Sequence, residues 1–129
     1  MVGIGAEDAV VSALRYEGDI LVQTHDAFTT AFARTGLEVH GTDGSIVAPG
    51  VMTADPLMGQ VILRNASGER EVPVPERRDL YEVTLEAFEA AVRGQGRPIV
   101  DGVDGSRALA VTLAVKEATE TGRTVRVSD

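Results

Sequence analysis

Two histidines sit where proton transfer or metal binding could occur. His25 is followed directly by Asp26, and His40 has Asp43 three residues on; an imidazole beside a carboxylate can act as a general base or a metal ligand. Two histidines in a chain without cysteine make a sparse ligand set, and a strand histidine bonded locally or at an interface is the simpler role. No Ser or Thr has an obvious activating His in the sequence. Asp101 and Asp104 flank Gly102-Val103 ahead of an apolar helical run, where turn and cap duties account for both. Gly3-Ile4-Gly5-Ala6 looks like half of a dinucleotide-binding fingerprint, but that motif needs a preceding strand, a third glycine and a following helix, and none is read here. Asn65-Ala66-Ser67 matches a glycosylation acceptor and reads as a turn.

The elements that position these residues begin with Leu37-Glu38-Val39-His40, whose alternation of apolar and polar residues has the period of a strand with one covered face. Asp43-Gly44 supplies a turn that is expected to need positive φ at the glycine, and Ser45-Ile46-Val47 resumes the strand. Upstream, Asp8–Tyr16 and Asp19–Phe28 are β-rich runs around Glu17-Gly18, a hairpin whose strands keep apolar residues on both faces. Downstream, Val51-Met52-Thr53 can form a short strand before Asp55-Pro56, and Gln60–Arg64 with Arg70–Val74 form a hairpin about Asn65–Gly68 whose second strand, ending in Pro73 and Pro75, belongs at an edge. Consecutive strands with close turns predict an antiparallel meander.

Two helices follow. Asp79 is a good N-cap with Glu82 three residues on, opening a helix to about Arg93, before Gly94; Tyr81, Leu85, Phe88 and Val92 form an apolar stripe expected to lie on the sheet. Asp104-Gly105-Ser106 is expected to cap a second helix to about Thr121, its apolar positions covering more than half the circumference, so that it is expected to be the more deeply buried of the two helices. Thr124-Val125-Arg126-Val127 reads as a last strand. The resulting class is α+β: a mostly antiparallel sheet with two main helices.

A chain of 129 residues with 43% hydrophobic content suits one domain, residues 1–129. Its apolar runs fall far short of the ~18 to 20 residues of a membrane span, so no membrane association is expected. The first six residues have neither a basic nor a long apolar stretch, so no secretory signal is expected there, and cytoplasmic location is the default. The formal charge of −8 is spread along the chain, and Arg77-Arg78 is the single adjacent basic pair; nucleic acid is therefore an unsuitable partner. Lys116 is the one lysine among 12 basic residues, a skew associated with GC-rich bacterial coding.

The string Leu37-Glu38-Val39-His40-Gly41-Thr42-Asp43-Gly44-Ser45 resembles a segment in the C-terminal domain of the Gfo/Idh/MocA family of NAD(P)-dependent sugar and polyol oxidoreductases. Three further segments resemble that family in order and spacing: Glu7-Asp8-Ala9-Val10 with Asp19-Ile20-Leu21, the helix of Tyr81, Leu85, Phe88 and Ala91-Val92, and Pro98 through Gly102-Val103-Asp104-Gly105 to Ala108-Leu109. The family's Rossmann domain, its Glu-Lys-Pro motif with a catalytic Lys, and its Asp-x-x-x-His helix have no counterpart in this sequence, so no catalytic residue is carried over. The resemblance implies an open-faced, mostly antiparallel sheet with the two main helices packed on one face, and a substrate-side and oligomerisation domain that binds no cofactor itself, with NAD or NADP serving the complete enzyme through a Rossmann domain in cis or in trans. It also implies self-association through the sheet face, and substrate contacts from His25, Asp26 and Phe28 at the end of the second strand. The competing readings are a non-catalytic binding or scaffold module that dimerises through its sheet, and an isolated small-ligand binder using the sheet face.

Overall fold

Strand β4 (Ser45–Pro49) holds the buried centre of the chain: Val47 and Ala48, 8% and 7% exposed, are the only buried hydrophobic residues among those described. The computed structural model describes residues 8–51 and 59–127, and its contacts divide them between two compact units, one holding residues up to Ala33 and from Val103 onward, the other Arg34–Gly102. The architecture is α+β, with six antiparallel strands and two α-helices among the described residues. The strands form two open sheets, so the single continuous meander expected from the sequence is broken after its first hairpin. The Gly3-Ile4-Gly5 segment and most of the Val51-Met52-Thr53 strand lie outside the described residues.

In the first unit, β1 (Ala9–Arg15) pairs antiparallel with β2 (Leu21–Ala27) around a single 3-10 turn in which Gly18 and Asp19 adopt positive φ. Val10, Ser12, Leu14, Val22 and Thr24 form the half-covered face, where Ser12 Oγ and Thr24 Oγ1 share a hydrogen bond of 2.8 Å; Val11 and Leu21 stand exposed on the other. Helix α2 (Gly102–Thr121) has the same two-sided character. Ala110, Val111, Ala114, Val115 and Ala118 are half-buried, while Leu109 and Leu113 are exposed; neither helix has a buried residue, so the deeper burial expected of this one is not found. It also begins two residues early, which puts Asp104 inside the first turn, where a carboxylate complements the positive end of the helix dipole. Gly122, at φ +66°, ends it by donating its N–H to Ala118.

In the second unit, β3 (Gly36–His40), β4, β5 (Ile62–Asn65) and β6 (Gly68–Glu71) hydrogen-bond in chain order. The last pair turns through Ala66-Ser67, with the Ser67 N–H bonded to Asn65 Oδ1 at 2.9 Å and Gly68 at φ +115°; β6 is an edge, as its following prolines require. Helix α1 (Leu80–Val92) begins as expected. Asp79 Oδ1 accepts the N–H groups of Tyr81 and Glu82 at 2.8 and 3.1 Å. It ends in a Schellman closure, with Gly94 donating to Ala91 and Gln95 to Ala90.

Three further expectations need correction. The stripe of Tyr81, Leu85, Phe88 and Val92 is 60 to 70% exposed, and the half-buried stripe is Val83, Ala87, Ala90 and Ala91 on the opposite side of the same helix. Both stripes keep the 3.6-residue period, so periodicity defines the helix without choosing which face turns inward. Thr124–Val127 forms no strand, because its β-branched residues find no partner edge among the described residues. Finally, Gly44 does not take positive φ; a Cβ placed on it would fall 2.6 Å from the Arg64 carbonyl oxygen and 3.1 Å from Asn65 Cβ. The glycine is needed because β5 crosses it closely, not because of its own dihedral.

This distinction separates two neighbouring glycines. A Cβ on Gly41 would meet nothing nearer than the Gly44 carbonyl oxygen at 3.7 Å, an ordinary contact. Gly44→Ala should therefore destabilise by about 1 to 3 kcal/mol, while Gly41→Ala should stay within about 0.5 kcal/mol of wild type. Denaturant unfolding of both variants decides; equal midpoints would mean that the approach of β5 to Gly44 does not constrain the sheet.

Candidate functional site

The register of the four-stranded sheet lines up one polar side chain from each strand. His40 pairs with Ser45, Ser45 with Arg64, and Arg64 with Glu69, so these four residues form a row across a single face. The row is hydrogen-bonded at both ends. His40 Nδ1 and Ser45 Oγ lie 2.8 Å apart, and Arg64 Nε donates to Glu69 Oε2 at 2.6 Å. Two residues along β3, Glu38 reaches His40 Nε2 from its Oε2 at 3.2 Å. The next row on this face runs Glu38, Val47, Ile62, Glu71, which puts buried Val47 between two carboxylate-bearing edge strands. The opposite face carries Leu37, Val39, Ile46 and Leu63, with the first three exposed.

Ser45, His40 and Glu38 together present a hydroxyl, an imidazole and a carboxylate in series, the components of an activated nucleophile. Their setting does not support that role. The His40 and Glu38 side chains are 63% and 60% exposed, so water competes for each bond and the pair has the modest energy of a surface contact, about 0 to 1 kcal/mol. What the series does well is fix hairpin register and present donors and acceptors at set spacings. Asp43, the partner expected for His40, instead accepts from the Thr42 hydroxyl at 3.4 Å. The true partners were readable from hairpin geometry. Once Gly41–Gly44 is the turn, residue 40 must face residue 45, and Glu38 shares their side by the two-residue period of the strand.

The residues at the end of β2 are arranged differently. His25 pairs with Val11 and Asp26 with Val10, so adjacent positions present opposite faces and the strand does not bring the imidazole and the carboxylate together. Phe28 follows the strand, its N–H bonded to the Asp8 carbonyl at 2.9 Å and its ring 96% exposed. Asp101, weighed above with Asp104, bonds Arg97 at 2.8 Å. No group of three or more His, Cys, Asp or Glu able to hold a metal occurs among the described residues, and none of their helices is long and apolar enough to cross a membrane.

A cluster of opposite charges sits at the start of α1. Arg78 Nη2 donates to Glu86 Oε1 at 2.7 Å and lies 3.7 Å from Glu82 Oε2, spanning two helical turns. The hydrogen bond to Arg78 holds the Glu86 carboxyl below its usual range, and the same bond raises the guanidinium further.

A family model described as "Oxidoreductase family, C-terminal alpha/beta domain" matches residues 3–127. Among curated relatives, a 1,5-anhydro-D-fructose reductase of Ensifer adhaerens is 46% identical over 123 residues, covering 95% of this chain and 36% of the relative. The chain thus spans little more than a third of the length of that relative.

A depressed carboxyl pKa in the folded state stabilises the fold above the ordinary glutamate range, and the contribution is lost as pH falls through the folded value. Arg78→Gln should therefore shift the Glu86 titration upward, toward an ordinary glutamate, in a carboxyl-detected NMR pH series. An unchanged Glu86 titration would show that the Arg78 bond does not persist in solution.

Proposed function

Because the chain belongs to the Gfo/Idh/MocA oxidoreductase family and matches its C-terminal alpha/beta domain, we propose that it is the substrate-side and oligomerisation domain of an NAD(P)-dependent oxidoreductase acting on a sugar-like or polyol substrate. The observation that carries this reading is the identity of 46% with a reductase of an anhydrosugar, sustained over almost the entire chain. Both proteins would then share a substrate class, handled on this side by hydrogen-bonding side chains. The compartment proposed for the enzyme is the cytoplasm, in a bacterial host.

The nucleotide does not fit the described residues of this chain. A dinucleotide pyrophosphate needs the uncapped N–H groups of a helix that opens from a glycine-rich strand-end turn. Here α1 has its first amides occupied by the Asp79 carboxylate, and α2 carries Asp104 in its first turn, so both helix starts present negative charge where a phosphate would have to sit. The nucleotide is accordingly assigned to a separate Rossmann domain, in cis or in trans, and this chain contributes no step of hydride transfer.

Substrate contacts are assigned to His25, Asp26 and Phe28. Since His25 and Asp26 face opposite sides of β2, a ligand lying against one face meets one of them, with Phe28 at the strand end. In the assembled enzyme, alanine at the contacting position and at Phe28 should raise KM for the sugar several-fold and leave KM for the nucleotide unchanged. Three alanine variants with wild-type KM for the sugar would remove this edge from the site.

Self-association is assigned to the sheet face that carries Leu37, Val39 and Ile46. These side chains are adjacent across β3 and β4 and exposed together, a contiguous apolar surface of the kind that marks an interface. A two-fold dimer covers it most simply. Light scattering at tens of micromolar should return about twice the chain mass, and Val39→Lys should return the monomer without unfolding it. A wild-type monomer at that concentration would contradict the assignment.

A further inference from the structure

We draw no further inference here: the strongest candidate, the exposed stripe of Tyr81, Leu85, Phe88 and Val92 along helix α1, is an unpartnered apolar surface, and nothing in the structure shows what covers it.

Discussion

The close passage of β5 over Gly44 is the constraint on which the four-stranded sheet depends. It sets the β4–β5 register, in which Ser45 meets Arg64 and Ile46 meets Leu63. That register places Val47 and Ala48 on a strand hydrogen-bonded along both edges, and it completes the polar row from His40 to Glu69. A one-residue slip would turn every side chain of β5 to the other face. It would bring Leu63 or Asn65 in place of Arg64 beside Ser45 and remove Leu63 from the apolar side.

Very little else is secured by burial. Complete removal of a valine side chain from water stabilises by about 1.5 to 3 kcal/mol; Val47, 8% exposed, comes nearest to that state, and no side chain among the described residues is fully buried. Backbone ladders, caps and small half-buried residues therefore carry most of the local order, while Val11, Leu21, Leu37, Val39, Leu85 and Phe88 remain in contact with solvent.

Much of the local structure was legible because it rests on short-range rules. Asp79 as an N-cap, Gly94 and Gly122 as helix ends, the Asn65–Gly68 turn and the alternating faces of β1 and β2 each follow from residues a few positions apart. What the sequence concealed depends on contacts between distant segments. Nothing near Gly44 shows that Arg64 will cross it, and the period shared by the two stripes of α1 hides which one is covered. The Ser45–His40–Glu38 series was accessible in principle, since hairpin register and strand period define it. It was obscured because Asp43 is nearer in sequence than Ser45, whereas the turn makes Ser45 nearer in space. The family assignment rested on several modest motifs in the right order, and the family match over residues 3–127 bears it out.

The central claim is that this chain forms the substrate-side part of a reductase whose nucleotide is held elsewhere. The most direct measurement replaces the matching 36% of the Ensifer adhaerens 1,5-anhydro-D-fructose reductase with residues 3–127 of this chain and follows reduction of 1,5-anhydro-D-fructose by the hybrid. The account predicts that reduction persists, with KM for the nucleotide unchanged from the parent and any change confined to the sugar. A folded hybrid that binds the nucleotide normally yet neither binds nor reduces the sugar would contradict it.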